Sequence, residues 1–245
     1  MDARGATAWG QAILIGGVIG AALLPLGALG HRIGLWSYQT GFVLLAGGAF
    51  LALFTVIAGA VALILSLQAG RAEGRQNVVF GLLFGGAVVL LLGLEIGSTT
   101  TAPPIHDIAT DVGDPPAFDK AIALRGADAN PLDYDIAANA AKQQSAYPRV
   151  KPIRTDRSPD ESFDRAVDVL ESMRLDIVNA DREDGVVEAV ATSFWFGFKD
   201  DVVVRIRPRG TGATVDMRSV SRVGVGDLGV NAKRIEEFIE RFNAA

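Results

Sequence analysis

Two strand-like runs carry four arginines whose placement suggests chemistry. If Val202, Val204 and Ile206 face a core, Arg205 and Arg207 face the other way; if Val215, Met217 and Ser219 face inward, Asp216, Arg218 and Arg222 face out. Guanidinium groups grip phosphate and carboxylate bidentately, so Arg205, Arg207, Arg218 and Arg222 form a candidate anion or partner surface. A plain solvated sheet face would serve as well, with cross-strand Arg–Asp pairs worth only ~0.2–1 kcal/mol each. Phe194, Trp195, Phe196 and Phe198 make the densest aromatic cluster. Alternation sends about half of such a run into the core and leaves the rest to line a groove or touch a bilayer surface. His106 beside Asp107 resembles a base and its orienter, but neighbours in an extended chain point in opposite directions, which favours an exposed or turn-capping histidine.

Other catalytic signatures are missing. The sequence has no G-x-S-x-G elbow, no H-E-x-x-H and no Walker loop. Its two histidines and zero cysteines disfavour a cysteine/histidine metal site and exclude a disulfide framework. Gly224-Val225-Gly226-Asp227-Leu228-Gly229 has the glycine pattern of dinucleotide-binding folds, yet only 16 residues follow it, too few for the second parallel strand and its acid. It reads as a tight strand-to-helix turn, whose free amides could at most hold a small anion. No catalytic, cofactor-binding or metal-ligating residue is assigned.

The elements that hold these residues fall into two materials. Of 51 charged residues, seven lie within positions 1–98 and 44 beyond. Uncharged gaps of 26 residues between Arg4 and His31, 38 between Arg32 and Arg71, and 19 between Arg75 and Glu95 each hold one helix able to cross ~30 Å of hydrocarbon. The expected spans are about 8–29, 41–67 and 77–95, which makes 1–98 a three-helix membrane region. The first is read as retained: Arg4 alone is a weak signal-peptide charge, and the apolar stretch is long and contains Pro25.

Arg4, Arg71 and Arg75 flank the spans on one side and Arg32 on the other. By the positive-inside rule the amino terminus is cytoplasmic and, with an odd number of spans, the carboxy-terminal domain is exported, into the periplasm if the membrane is a bacterial inner membrane. Trp36 and Tyr38 then sit at the outer interface and Trp9 near the inner one. Gly16 with Gly20, Gly81 with Gly85, and Gly93 with Gly97 repeat at four-residue spacing, which lets helix backbones approach within the chain or between copies. Glu95 is the one acid inside a span and is read as an interfacial carboxylate.

Seven of the ten prolines fall between Thr99 and Arg157, which predicts a Pro-rich extended strap with short helical pieces near 118–124 and 136–145. Residues 158–245 read as a compact α+β domain. Ser158-Pro159-Asp160-Glu161 is a capping box, followed by an apolar stripe of Phe163, Ala166, Val167, Leu170 and Met173. Strands are expected at 175–180, 186–196, 202–207 and 214–222, joined by short turns into a four-stranded antiparallel meander. A last helix, 227–242, offers Leu228, Ala232, Ile235, Phe238, Ile239 and Phe242 to the core. The two helices flank the sheet.

Several segments together carry a resemblance: Pro104-Ile105-His106-Asp107-Ile108-Ala109-Thr110-Asp111, Pro115-Pro116-Ala117-Phe118, Phe196-Gly197-Phe198-Lys199-Asp200-Asp201-Val202, and Asp216-Met217-Arg218-Ser219-Val220-Ser221-Arg222 with Asp227-Leu228-Gly229-Val230-Asn231-Ala232. Over about residues 103–242 the chain resembles the bacterial domain-of-unknown-function family numbered 1499. The resemblance implies an envelope-associated domain and carries over no catalytic residue or ligand. The expected partners are the lipid bilayer and an envelope protein, lipid or anionic glycan. Nucleic acid is excluded, since residues 99–245 hold 19 cations against 25 anions. The rivals are an envelope enzyme using His106 with nearby acids, and an assembly subunit relying on its glycine-spaced spans.

Overall fold

A computed structural model describes residues 3–99 and 102–244. The chain divides into two compact units, Met1–Thr100 with Trp195–Gly197, and Thr101–Phe194 with Phe198–Ala245.

The first unit contains three helices, α1 (Ala3–Arg32), α2 (Tyr38–Gln68) and α3 (Arg75–Thr99). All three are long and apolar enough to cross a membrane. At ~1.5 Å per residue α2 alone spans roughly 46 Å, more than the hydrocarbon thickness. Large apolar side chains point outward along it, among them Val43, Phe50 and Phe54, the reverse of a water-soluble helix bundle. The backbones meet where side chains vanish. A Cβ on Gly17 would lie 2.6 Å from the Gly81 carbonyl, and one on Gly20 would lie 3.1 Å from that of Gly48. Such close approach is the packing mode of helices in lipid, where the hydrophobic drive is absent. Of the glycines noted in the sequence, Gly16 faces Thr55, Gly81 faces the Ile13 carbonyl and Gly85 faces Ala52, while Gly93 meets nothing within 4 Å among the described residues. The Glu95 side chain and the surroundings of Gly97 lie outside the described residues. Ser37 caps α2, accepting from the Thr40 amide at 3.4 Å, and the Trp36 indole donates back to the Gly27 carbonyl at 3.0 Å.

The second unit is an antiparallel sheet with helices. Its elements are β1 (Asp107–Ala109), a 3-10 turn (Lys120–Leu124), α4 (Ile136–Ala146), β2 (Ile153–Thr155), α5 (Pro159–Ser172), β3 (Asp176–Asp181), β4 (Val186–Thr192), β5 (Lys199–Arg209), β6 (Gly212–Ser221) and α6 (Val230–Asn243). The order is β1-β6-β5-β4-β3, with β2 on the other half of β6. The sheet thus has six strands rather than four. The long β6 offers both halves of its free edge, pairing Asp107 with Val220 through β1 and Ile153 with Val215 through β2.

Helices α5 and α6 cover one face. The expected capping box forms: Ser158 Oγ accepts from the Glu161 amide, and the Glu161 carboxylate accepts from the Ser158 amide at 2.8 Å. Phe163, Ala166, Val169 and Leu170 from α5 and Ala232, Ile235, Phe238 and Phe242 from α6 bury against Val187, Val202, Val204, Val215 and Met217. Leu228 departs from the expected stripe. It precedes α6 in a loop, at φ +56°, and is exposed. The strands also differ at one hairpin: β4 stops at Thr192, and β5 begins at Lys199, where a turn was expected. Asp200 and Asp201 enter the strand because each has a cationic partner, Arg234 for the first and Arg125 with Arg222 for the second.

Candidate functional site

The second sheet face is where alternation turns Glu188, Asp201, Arg205, Arg207, Asp216, Arg218 and Arg222, together with Asp107 of β1. Its apolar part is small: Val203 and Val220 pack with Phe118 and Ala121, flanked by Leu132, Val178 and Val186. Around that patch the face is held by charge.

Arg218 is 3% exposed. Its Nε and Nη2 donate to the two Asp107 carboxylate oxygens at 2.9 and 2.7 Å, Nη1 donates to the Pro116 carbonyl at 3.2 Å, and Nη2 also reaches the Leu132 carbonyl at 2.6 Å. The guanidinium lies over the rings of Phe118 and Tyr134, at 5.3 and 5.5 Å. Burial, and then the Asp107 charge, push the Tyr134 phenol up to about 12. Arg222 clasps the fully buried Asp201 carboxylate at 2.7 Å from Nη2 and donates to the Leu124 carbonyl at 2.7 Å, while Arg125 holds the other side of Asp201. The equally buried Glu188 makes no salt bridge among the described residues. It accepts instead from the amides of Asp119, Lys120 and Ala121 and from Asn179 Nδ2. A carboxylate can be buried this way because several fixed N–H dipoles replace its hydration.

Arg205 and Arg207 lie nearer the edge. Both donate to Asp216, at 3.3 and 2.7 Å, and to Asp114, at 3.1 and 2.7 Å, and Asp111 stands 3.7 Å from Arg207. Hydrogen bonding and charge from Arg205, joined by Arg207, hold the Asp114 carboxyl below its usual range. Two cations face three carboxylates here, a balance that does not attract a further anion.

The four arginines therefore share one face, as alternation predicted, but this is not the open cationic surface expected of them. Residues 114–132 supply carbonyls, amides and Arg125 that engage it. Arg207 keeps the largest exposed share, 42% of its side chain, against 4% for Arg218. Sequence reading missed Asp107, Arg125, Glu188 and Asp201 as members of the group. Each finds its partner 60 or more residues away or on a neighbouring strand, and no local spacing announces that.

The aromatic cluster is not core. Phe194, Trp195, Phe196 and Phe198 occupy the β4–β5 connection, with Phe194 and Trp195 exposed. Phe196 belongs with the first unit, its ring 5.0 Å from that of Phe42 and 6.2 Å from that of His31. The His106–Asp107 dyad is not assembled, because His106 Nδ1 stands 3.3 Å from the Val225 carbonyl while the Asp107 carboxylate is spent on Arg218. At the glycine-rich turn, Asp227 fills the place an anion would take. It accepts from the Gly229 amide at 2.9 Å and from the Asn231 amide at 2.7 Å, and burial raises its pKa. Among the described residues no group of His, Asp and Glu is arranged to hold a metal.

A separate cavity of about 350 Å³ opens beside α4, lined by residues including Thr110, Gln143, Gln144, Tyr147, Val150 and Lys151. Gln143 is locked, pairing with both the amide and the carbonyl of Ala109 at 3.0 and 2.6 Å. The Tyr147 hydroxyl is buried with no hydrogen-bond partner among the described residues, and burial, then the charges of Asp227 and Glu236, raise its pKa. Buried hydroxyls nearly always find a partner.

Comparison with known proteins adds one match. The family described as "Protein of unknown function (DUF1499)" matches residues 107–242, more than half of the chain. No curated protein matches.

Proposed function

The chain belongs to the DUF1499 family, and from that premise we propose that it is an integral protein of a bacterial inner membrane that presents a periplasmic binding domain to an envelope partner, an envelope protein, a lipid or an anionic glycan. One observation carries the reading: three helices apolar enough to cross a bilayer lead within a few residues into a folded sheet domain. Arg4, Arg71 and Arg75 against Arg32 favour a cytoplasmic amino terminus and therefore an exported domain. Of the strap expected at 99–157, β1 and β2 are strands of the sheet, and the chain between them acts in this reading as the strap.

Binding is preferred to catalysis because His106 Nδ1 faces the Val225 carbonyl rather than an acid, while the cavity beside α4 is lined by polar groups and a lysine. A volume of that order suits a small polar head group. With the full chain in nanodiscs, binding of phosphatidylglycerol vesicles or envelope glycan fractions should weaken at least about tenfold, a loss of ~1.4 kcal/mol, on Lys151→Glu. Unchanged binding removes the cavity from the proposal. Arg207→Ser tests the remaining exposed arginine in the same assay. A His106→Ala chain that restores a deletion phenotype in full ends the enzymatic rival; a folded variant that fails to restore it favours that rival.

A further inference from the structure

The end of the sheet domain where the chain arrives carries apolar side chains that its core leaves out. Ala102–Ile105 leads into β1, and the β6–α6 loop lies against it. A Cβ on Gly226 would sit 3.1 Å from Pro104 Cα, the Asp227 amide donates to the Ile105 carbonyl at 3.3 Å, and His106 Nδ1 is 3.3 Å from the Val225 carbonyl. The β4–β5 connection ends beside it, since the Arg222 amide donates to the Lys199 carbonyl at 3.0 Å. From this end project Val225, 78% exposed, Leu228, 61%, and Val230, 47%.

These side chains are not exposed for want of order. The Asp227 carboxylate ties the loop to the start of α6, and the buried Asn231 fastens that start to Ser219, Ser221 and the His106 carbonyl at 2.6, 2.9 and 3.1 Å. Leu228 is held at φ +56°, a region that any residue with a Cβ enters at a cost. A bulky apolar residue fixed in a strained conformation and turned to water points to a use outside the fold.

Covalent geometry narrows what that use is. The helical part of α3 ends at Thr99, and Pro103 follows four Cα–Cα steps later, about 15 Å at full stretch. The apolar span of α3 ends near Leu94, so the loop beside Pro104 is joined to that span by about ten residues of chain, and the interfacial layer on each side of a bilayer is itself roughly 5–8 Å deep. We propose that Gly224–Val230 is a membrane-docking loop, with Val225 and Leu228 seated at the headgroup–acyl boundary of the bilayer that α3 crosses. Apolar side chains on a firm polar backbone suit that boundary. The proposal rests on the membrane-spanning reading of the helices and is independent of which side the domain faces.

The absence of cysteine allows a direct test on the full chain. Nitroxide labels are placed singly by Val225→Cys and Leu228→Cys in phosphatidylcholine/phosphatidylglycerol nanodiscs. Thr211→Cys, in the turn at the opposite end of the sheet, and Phe54→Cys, outward on α2, serve as references. Collisional access to oxygen and to a water-soluble nickel chelate is then compared. Labels at 225 and 228 should be oxygen-rich and nickel-poor, at least about threefold less open to nickel than the label at 211 and shallower than that at 54. Nickel access equal to that at 211, with the label at 54 in lipid, overturns the docking loop alone. Shielding from both reagents means that protein covers the loop, which also overturns it. A label at 54 open to nickel overturns the spanning reading and the docking loop together.

Discussion

Replacing Arg218 with methionine should loosen the sheet domain far more than an ordinary surface change. The guanidinium is almost wholly buried, satisfies both oxygens of an equally buried Asp107, and caps the Pro116 and Leu132 carbonyls. Methionine fills much of the volume but leaves Asp107 as a buried charge without its counter-ion. Breaking such a pair costs ~3–5 kcal/mol. With a urea dependence of about 2 kcal/mol per molar, the midpoint should fall by roughly 2 M. The assay is urea unfolding of the full chain in nanodiscs, followed by amide exchange in peptides covering β1 and β6. The double variant Asp107→Leu with Arg218→Met removes both charges and should recover at least half of the loss, because a buried pair as a whole contributes little net stability. A single variant that loses less than about 1 kcal/mol, or a double variant no better than the single, would refute the reasoning.

Other positions test separate parts of the account. Glu188→Gln keeps the shape but turns a donor toward amides that need acceptors, and should cost about 2 kcal/mol in the same urea titration; an unchanged midpoint would deny the carboxylate its bracing role. Asp227 has its pKa raised by burial, so its stabilising contribution is complete below the unfolded value of about 3.9 and is lost as pH rises through the higher folded value. The stability of the native chain relative to Asp227→Asn should therefore fall between pH 4 and pH 7, measured by unfolding at each pH; a flat or rising difference contradicts the burial argument. Gly17→Leu drives a side chain toward the Gly81 carbonyl and should lower the melting temperature in detergent, whereas Gly93→Leu, with open space around it, should leave it unchanged.

Much of this fold was legible in the sequence because its periodicities are local. The stripes of α5 and α6 follow the 3.6-residue repeat, and β5 and β6 alternate so plainly that Arg205, Arg207, Asp216 and Arg218 were placed on the right face. The failures have a common physical origin in distant partners. Three-residue β1 and β2 show no alternation and exist because β6 has an edge to offer. Lys199-Asp200-Asp201 has turn composition, yet it is strand, since Arg234 from α6 and Arg125, just after the 3-10 turn, neutralise the acids. Leu228 fits the apolar spacing of α6 but falls before its first turn, where Asp227 fixes the loop. The candidate face was found, but its covering by residues 114–132 was not, because prolines announce extended chain without saying what it lies upon.

The location of the folded domain is the claim on which the functional account stands, and paired fusions at Ala245 measure it most directly. Alkaline phosphatase, active only after export, and green fluorescent protein, fluorescent only when it folds in the cytoplasm, are joined separately to the end of the full chain. The account predicts an active phosphatase and a dark fluorescent fusion; a bright fluorescent fusion with an inactive phosphatase would contradict it.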